Sequence, residues 1–294
     1  MRILVLGSGG QLGKCLKDQL KNFKGEVFLK SRLDLDILSF LDVQHALHSI
    51  KPNIVINASA YTNVDQAEDD YEKANSINNT AVKNIADCCF KVKALLVHIS
   101  TDYVFDGNAK KPYKNSSITN PQGVYGATKR QGELQIVNSE CRYIIIRTAW
   151  LFSEYNSNFL KTILNLGLQK NELSIIGDQL GCPTYAQDLA KAIVTSFYKI
   201  ESENLVNNIY HYSGNQQCSW FEFTQEIFKI AKLQGFKIKS KVKKISTSEY
   251  KTQAKRPMYS VLDSSEFCKA FEVQPSNWHD GIKSSLSIIS ECHN

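Results

Sequence analysis

The residue types best suited to chemistry lie in two short stretches near the middle of the chain. An apolar run ends in Ser100, Thr101 and Asp102, and a later segment places Tyr125 four residues before Lys129. Residues four apart share one face of a helix, so we expect the Lys129 ammonium beside the Tyr125 phenol. An ammonium favours the phenolate and is expected to lower the tyrosine pKa from about 10. Tyr125 is therefore a candidate proton donor and acceptor, and Thr101 a candidate hydrogen-bond partner of the same substrate oxygen.

The N-terminal segment predicts a dinucleotide site. Gly7, Gly10 and Gly13 lie between an apolar strand at 2–7 and a helix at 11–22. Glycines let the backbone turn sharply and approach a pyrophosphate, whose charge then meets the amides at the start of the helix. A flexible glycine loop is the alternative, but the strand–turn–helix setting favours the binding site.

The end of the second strand predicts which nicotinamide cofactor binds. NAD-preferring sites place an acidic residue there to hold the ribose 2′-hydroxyl, whereas this chain has Lys30, Ser31 and Arg32. Because a guanidinium or ammonium pairs with a 2′-phosphate, NADPH is favoured as the cofactor. NADH is the alternative, since these basic residues could instead be exposed to solvent in a surface turn and make no contact with the cofactor. Asp36 and Ile37 follow in a short loop that could contact the adenine.

Small residues at the end of the third predicted strand leave room for this cofactor. Ala58, Ser59 and Ala60 follow one another there. In open α/β sheets ligands bind outside the carboxyl ends of the strands. We therefore expect the dinucleotide to lie across this edge.

Strands and helices alternate through the first half of the chain. The predicted strands are at 2–7, 26–30, 53–59, 94–100 and 142–150, and the predicted helices are at 11–22, 39–50, 67–91 and 124–138. Continuous apolar strands separated by helices imply a parallel sheet covered on both faces. We predict an α/β fold, in which a Rossmann-type doubly wound parallel sheet carries a smaller C-terminal α/β substrate-binding lobe.

The alternation loosens after residue 150. Helical patterns occur at 158–166, 187–198, 220–233 and 278–289, a strand pattern at 207–214 and an extended one at 237–246. We assign 1–150 to an NAD(P)-binding Rossmann domain and 151–294 mainly to the lobe, with segments around 184–215 returning to the first domain. Gln179, Gly181, Pro183 and Thr184 are expected to shape a loop over the substrate, although a plain turn explains Gly181 and Pro183 equally well.

Composition restricts the remaining classes of function. The 294 residues are 43% hydrophobic and carry a formal net charge of +6, which is ordinary for a globular protein. The chain contains neither an apolar run of membrane-spanning length nor a pattern typical of a secretory signal. The lysines at 237, 239, 241, 243 and 244 predict the exposed face of a strand rather than a nucleic-acid groove. We expect a cytoplasmic protein without a nucleic-acid or membrane partner.

Cysteines and histidines do not predict a metal site. The eight cysteines form no CxxC pair, so we expect small buried hydrophobic residues in a reducing compartment. His98 lies within an apolar run and is expected to be a core histidine with its hydrogen bonds satisfied.

Several motifs together resemble the extended short-chain dehydrogenase/reductase family over the whole chain. They occur in the order STDYVFDG, YGATK, RTAWLF, GDQLGCPTY followed by AQDLA, and RPMYSVLD. With the N-terminal glycines, they make a chance surface pair of tyrosine and lysine a poor explanation. The finer match is to the dTDP-4-dehydrorhamnose reductases. It implies NADPH-dependent reduction of the 4-keto group of dTDP-4-dehydro-L-rhamnose to dTDP-L-rhamnose.

The resemblance also implies roles for individual residues. Catalysis falls to Thr101, Tyr125 and Lys129, with Tyr125 as the proton donor. The cofactor would contact Gly10, Gln11, Leu12, Asp36, Ile37, Ala60, Tyr61, Thr62, Tyr125 and Lys129, besides the Gly7, Gly13, Lys30, Ser31, Arg32 and Ala58 inferred above. The sugar nucleotide would contact Thr101, Asp102 and Trp150.

Two substrate contacts have alternatives. Arg256 is a candidate diphosphate partner, because a guanidinium matches phosphate oxygens bidentately. A surface arginine explains Arg256 equally well, and ordinary core packing is the alternative for Trp150.

Two other kinds of protein stay open. A sugar-nucleotide dehydratase or epimerase resembles this chain, but dehydratases usually carry Asp-Glu after the strand-end threonine, and here Tyr103 follows Asp102. The regulatory subunit of methionine adenosyltransferase is also similar over this length, and it acts by binding a partner.

Some members of the family dimerise through magnesium held partly by a glutamate early in the first helix. Because Lys14 and Cys15 lie there, we expect a monomer or a weak homodimer.

Overall fold

The computed structural model of the protein describes residues 1–291. Its strands are β1 Arg2–Leu6, β2 Glu26–Lys30, β3 Ile54–Asn57, β4 Leu95–Thr101, β5 Tyr143–Thr148, β6 Leu151–Phe152, β7 Glu172–Ile176, β8 Leu180–Gly181, β9 Thr184–Tyr185, β10 Asn208–His211, β11 Cys218–Ser219 and β12 Lys241–Ile245. Its α-helices are α1 Gln11–Gln19, α2 Phe40–Ile50, α3 Gln66–Asp69, α4 Tyr71–Asn75, α5 Ala81–Val92, α6 Val124–Val137, α7 Phe159–Gln169, α8 Ala186–Ser202, α9 Trp220–Leu233, α10 Ser265–Phe271 and α11 Trp278–Glu291.

A six-stranded sheet in the order β10-β5-β4-β3-β1-β2 forms the centre of the molecule. Every neighbouring pair in it is parallel. The order reverses between β1 and β3, so helices cover both faces and the carboxyl ends of the strands form one edge, where ligands bind in such folds. The predicted doubly wound α/β class is confirmed.

The apolar strands face two separate hydrophobic clusters. Ile3 and Val5 of β1 face the cluster that contains α1 and α8, whereas Leu4 and Leu6 face the one that contains α2 and α5. Successive side chains of a strand point to opposite faces, so a strand buried on both sides is apolar at every position. This explains the continuous apolar runs of the sequence.

The second half of the chain contributes to both the sheet and a lobe. Strand β10 pairs with β5 at one edge of the sheet, and α8 packs against α1. Helices α7, α9 and α11 enclose a third cluster around Phe152, Phe223 and Trp278. The division of the chain into two domains stays a prediction. Within residues 1–291, no helix has the length and apolar character needed to cross a membrane.

The segment predicted as one helix at 67–91 is interrupted twice. Asp70, with φ −120° and ψ 50°, separates α3 from α4. One π-helical turn, Ser76–Thr80, then joins α4 to α5. Its Asn78 is buried and bonds the backbone of Tyr61 on both sides, accepting from the N–H at 2.9 Å and donating to the carbonyl at 3.1 Å. Turns of this kind often occur at functional sites.

Other boundaries also differ from the sequence pattern. The strand predicted at 142–150 ends at Thr148, and Trp150 has a left-handed φ of +47°. The segment at 237–246 is a strand only over Lys241–Ile245, which pairs with β7, although all five of its lysines are exposed as predicted. Helix α10 and the short strands of the lobe were not predicted, because they are too short to show a period.

Candidate active site

A cavity of about 540 Å³ opens at the carboxyl ends of the central strands. Thr101, Asp102, Tyr125 and Lys129 all line it, so the structure brings the predicted catalytic residues together. Thr101 ends β4, which places its side chain at the sheet edge. Tyr125 and Lys129 reach the cavity from one face of α6, as their spacing predicts.

Close packing brings α6 to this edge. A Cβ at Gly126 would lie 2.9 Å from the carbonyl carbon of Tyr103, so only glycine allows the helix to approach the segment after β4. The Tyr103 ring meets the Tyr125 ring edge-on, with centroids 5.5 Å apart. Lys129 is buried, and its Nζ donates to the Ile99 carbonyl at 2.7 Å. These contacts fix both catalytic side chains.

The protonation state of Tyr125 differs from the sequence-based expectation. Burial raises the pKa of Tyr125 to about 12; the hydrogen bond between Tyr125 and Thr101 opposes this rise, and the charge of Asp102 adds to it. The expected lowering by Lys129 is therefore wrong for the protein by itself, because desolvation of the phenolate exceeds any gain from the ammonium. Tyr125 is a neutral phenol near neutral pH, which is the form that can give a proton.

A buried ion pair lies beneath Lys129. Glu133 accepts hydrogen bonds from Arg147 Nε at 2.8 Å and Nη2 at 2.7 Å, from Ser100 Oγ at 2.6 Å and from Arg130 Nη1 at 3.1 Å. Burial acts to raise the pKa of Glu133, but the bonds and charge of Arg147 outweigh it and hold that pKa below its usual value. Burial also lowers the pKa of Lys129 to about 8, while the Glu133 carboxylate acts in the opposite direction.

Asp102 presents a carboxylate oxygen without a partner. Its Oδ1 accepts from Thr101 Oγ1 at 3.0 Å, whereas the buried Oδ2 has no hydrogen-bond partner among residues 1–291. Burial raises the pKa of Asp102 to about 6, although hydrogen bonding to the Ser260 and Thr101 hydroxyls acts in the opposite direction. A buried oxygen of this kind calls for a donor, and a sugar hydroxyl entering the cavity is one.

Trp150 forms a wall of the same cavity. Its ring stacks on Trp220 with centroids 3.4 Å apart and an interplanar angle of 6°. A Cβ at Gly181 would lie 2.6 Å from Trp150 Nε1, so the absence of a side chain there makes room for the indole. Trp150 is therefore held by packing and also exposed to the cavity. Gly181 belongs to β8, and Thr184 to β9, so part of the predicted loop consists of short strands.

A second cavity, of about 440 Å³, adjoins the first around Gly10 and Ala58. Its lining includes Gly7, Gly10, Lys30, Ser31, Arg32, Asp36, Ile37, Ala58 and Ala60, while Gln11, Leu12 and Thr62 line the first cavity. The two cavities together follow the carboxyl edge of the sheet, as expected for a dinucleotide.

The glycine loop fits a pyrophosphate. Gly7 has φ +80°, and a Cβ there would lie 2.7 Å from the Ser59 nitrogen. Gly10 begins α1 without a side-chain cap, so backbone N–H groups at this helix start are available to an anion. The buried Gln11 Oε1 also lacks a partner within the described part of the chain. These features fit the phosphates and the adjoining half of a nicotinamide dinucleotide.

Three predicted residues lie outside these cavities. Gly13 packs against the loop, where a Cβ would lie 2.6 Å from Ser8 Cα, and Tyr61 is held through its backbone by Asn78. Arg256 Nη2 donates to Asp65 Oδ2 at 2.7 Å, and its buried Nε has no partner among residues 1–291. Arg256 borders two other cavities, one of them near Tyr103.

Sequence reasoning missed several residues of the site. Asn156, Ser157 and Asn158 line the first cavity from the turn before α7, and they carried no spacing signal. Asn57 and His98 lie beneath it inside apolar strands. A polar residue within an apolar run is the available signal, and for His98 it predicts only a core histidine.

Comparisons with known proteins agree with this geometry. The family model described as "RmlD substrate binding domain" matches residues 1–290. A dTDP-4-dehydrorhamnose reductase of Aggregatibacter actinomycetemcomitans is 39% identical over 285 residues, which cover 96% of this chain and 97% of that protein. A crystal structure of such a reductase from Clostridium acetobutylicum has a TM-score of 0.91 at 38% identity and covers 99% of this chain and 100% of that one.

A second crystal structure includes a cofactor. It is a dTDP-4-dehydrorhamnose reductase of Bacillus anthracis in complex with NADP, with a TM-score of 0.89, 35% identity, and coverage of 98% of this chain and 99% of that one. The similarity therefore extends over the sheet, the lobe and both cavities. The chain belongs to the dTDP-4-dehydrorhamnose reductase family.

Proposed function

We propose that this protein reduces the 4-keto group of dTDP-4-dehydro-L-rhamnose to give dTDP-L-rhamnose, with NADPH as the reductant. The observation that carries the proposal is the meeting of Thr101, Tyr125 and Lys129 in a cavity that adjoins the dinucleotide cavity. The named relatives are reductases of this type. An enzyme of this kind is an NAD(P)H-dependent oxidoreductase of nucleotide-sugar and cell-surface polysaccharide synthesis.

Residues of the protein supply the proton that the reduced sugar needs and stabilise the charge that develops on its oxygen. When bound, NADPH supplies the hydride for the 4-keto carbon. Tyr125, a neutral phenol, gives its proton to the developing alkoxide, and Thr101 hydrogen-bonds the same oxygen. Lys129 lies on the same face of α6 and would hold the nicotinamide ribose as well as the phenolate formed at Tyr125. Thr101 and Lys129 are buried and Tyr125 is partly buried, so water has limited access to the developing charge.

Cofactor recognition is assigned along the second cavity. Gly7, Gly10, Gln11 and Leu12 would hold the pyrophosphate, with Gly13 allowing α1 to pack close to the loop. Lys30, Ser31 and Arg32 would bind the 2′-phosphate, Asp36 and Ile37 the adenine, and Ala58, Ala60, Tyr61 and Thr62 the remaining length of the dinucleotide. The basic residues at the end of β2 support NADPH over NADH.

Substrate recognition is assigned to the first cavity and the lobe. Asp102 Oδ2 would accept from a sugar hydroxyl, and Trp150 would pack against the sugar ring. A further cavity of about 580 Å³ lies beyond Trp220 and suits the nucleoside, because Phe159, Trp220 and Tyr250 line it. Arg256 also borders this cavity. To bind the diphosphate it would exchange its Asp65 partner for phosphate oxygens.

The proposal also covers the partners, the location, the oligomeric state and the domains of the protein. We assign a small nucleotide-sugar partner and neither a nucleic-acid nor a membrane partner, with a cytoplasmic location and a monomer or weak homodimer. Residues 1–291 contain no group of three or more His, Cys, Asp or Glu side chains placed to hold a metal ion. The Rossmann domain comprises 1–150 and the lobe mainly 151–294, with 184–215 returning to the sheet.

The test is NADPH oxidation with dTDP-4-dehydro-L-rhamnose. We expect turnover by the protein, and a loss of about 10²–10⁴-fold in kcat for Tyr125→Phe with unchanged NADPH affinity. Tyr198→Phe is the matched control, since Tyr198 is an exposed tyrosine on α8 that lines none of these cavities. Absence of NADPH oxidation would refute the reductase activity, while full turnover by Tyr125→Phe would refute only the role of Tyr125.

A further inference from the structure

A chain of buried polar side chains runs from the dinucleotide cavity to Lys129. The Ser59 backbone N–H donates to Asn57 Oδ1 at 3.1 Å, and the Ser59 hydroxyl bonds the same oxygen. Asn57 Nδ2 lies 3.2 Å from His98 Nδ1, and His98 Nε2 lies 3.3 Å from Lys129 Nζ. Asn57, His98 and Lys129 are at most 1% exposed, so water cannot replace these contacts.

The direction of each hydrogen bond follows from the backbone. A peptide N–H can only donate, so the Asn57 oxygen must face Ser59 and its NH₂ group must face His98. An amide nitrogen does not accept, so His98 Nδ1 is the acceptor. The imidazole is neutral, because burial alone acts to hold the pKa of His98 well below its usual value, whatever the charge of Lys129. Its single hydrogen therefore lies on Nε2.

That hydrogen points at Lys129. An N–H at 3.3 Å is attracted by the lone pair of an uncharged amine and repelled by an ammonium. Lys129 Nζ already donates to the Ile99 carbonyl at 2.7 Å, which leaves its lone pair free to accept from His98. We propose that His98, held in its Nε2–H tautomer by Asn57, is a positioning residue that favours the uncharged amine form of Lys129.

The other titratable groups around Lys129 either favour its ammonium or carry little net charge themselves. On α6, Glu133 favours the ammonium, but its carboxylate is shared with Arg147 from β5 and with Arg130. Tyr125 on the same helix is neutral at ordinary pH. The buried carboxyl of Asp102, at the end of β4, lines the same cavity. The protonation state of Lys129 therefore depends on two opposing effects. Glu133 favours the ammonium, whereas burial and the His98 N–H favour the uncharged amine.

This arrangement gives Lys129 a protonation state that can change during turnover. This consequence rests on the proposed reductase function, whereas the tautomer of His98 does not. In the protein without its cofactor, Lys129 Nζ has one carbonyl acceptor and one facing N–H among the contacts above, so few groups hold its ammonium. A Lys129 that gives up its proton for reprotonation of the Tyr125 phenolate becomes the amine to which His98 Nε2–H donates. Its proton would be regained from solvent after product leaves.

The first test measures the tautomer and does not depend on activity. Nitrogen-15 NMR of histidine-labelled full-length protein distinguishes the ring nitrogen that carries hydrogen from the one that does not, and His98→Gln identifies the His98 signals among the six histidines. We expect hydrogen on Nε2 in the protein and in Ser59→Ala, which keeps the backbone N–H. Hydrogen on Nδ1, or on both nitrogens, would overturn the proposal even if the reductase activity is confirmed.

The second test reverses the tautomer. In Asn57→Asp the carboxylate accepts from His98 Nδ1, so Nε2 becomes an acceptor for the Lys129 ammonium. We expect the apparent pKa of the Lys129 limb in the pH profile of kcat/KM to rise by about one unit or more. Adding His98→Gln to Asn57→Asp separates transmission through the imidazole from the new charge, and the rise should then shrink. An equal rise in the double variant, or no rise in Asn57→Asp, contradicts the role of His98.

Discussion

Replacing Glu133 by glutamine tests how the layer under the active site is stabilised. Glu133 and Arg147 are 0% and 2% exposed, and two hydrogen bonds of 2.8 Å and 2.7 Å join them. Glu133→Gln keeps the size of the side chain but leaves the Arg147 guanidinium buried without a counter-charge. Removing one partner of a buried pair costs about 3–5 kcal/mol, because the remaining charge is not solvated.

An exposed acid-to-amide change provides the matched control. Asp87 pairs with Lys83 at 2.6 Å on α5, but these side chains are 36% and 54% exposed. Solvent screens such a pair, so Asp87→Asn should cost about 0–1 kcal/mol. The distances of the two pairs are similar, and the difference in cost therefore measures burial rather than geometry.

The assay is urea unfolding of the two variants beside the unchanged protein. The reasoning would be refuted if Glu133→Gln lowered the free energy of unfolding by no more than Asp87→Asn does. Adding Arg147→Met to Glu133→Gln should recover part of the stability, since the unpaired charge is then gone. The pH dependence has a defined sign: because the folded-state pKa of Glu133 is held below its usual value, its contribution is present above that value and lost as the pH falls through the folded-state pKa.

Three further predictions concern the cavities. Gly181→Ala should displace the Trp150 ring at an overpacking cost of about 1–3 kcal/mol and raise KM for the sugar nucleotide without changing NADPH affinity; an unchanged KM would remove Trp150 from the substrate wall. Arg32→Ala should weaken NADPH binding by about tenfold, as expected for loss of one charge-assisted hydrogen bond, and leave NADH binding unchanged, which titration of both cofactors would check. Burial raises the pKa of Asp102 to about 6, so kcat/KM should rise with pH through that value as the carboxylate forms. Asp102→Asn should abolish this limb, and its persistence would assign it to another group.

The sequence was sufficient for the fold class because the sheet is buried on both faces. Each strand of the sheet except the edge strands β2 and β10 is a run of mainly buried residues, and such runs are visible without knowing the partners. The breaks inside 67–91 were not predictable, since Asn78 turns inward to bond the backbone of Tyr61, a residue distant along the chain. Trp150 likewise leaves the strand pattern because of contacts with Gly181 and Trp220, which come from the lobe.

The sequence predicts some residues of the candidate site and not others, because only some of them are positioned by local structure. Local rules place Tyr125 and Lys129 on one helical face, and they place Thr101 at the end of a strand. No local rule brings Asn57 of β3 against His98 of β4, because their contact depends on the pairing of these strands. Residues whose function depends on a neighbour in the next strand are therefore the ones that a single sequence does not reveal.

Spacing along α6 brings the catalytic tyrosine and lysine together, but the layers around them determine their charges. Burial keeps Tyr125 protonated and lowers the pKa of Lys129 to about 8, so the pKa of each group differs from the value expected of the pair alone. A protonated Tyr125 suits reduction, because the alkoxide formed at the sugar needs a proton and not a base. A lysine that can lose its charge suits the step after it, in which the phenolate must be reprotonated. The direction in which this site works best therefore follows from desolvation and from the His98 contact rather than from the motif.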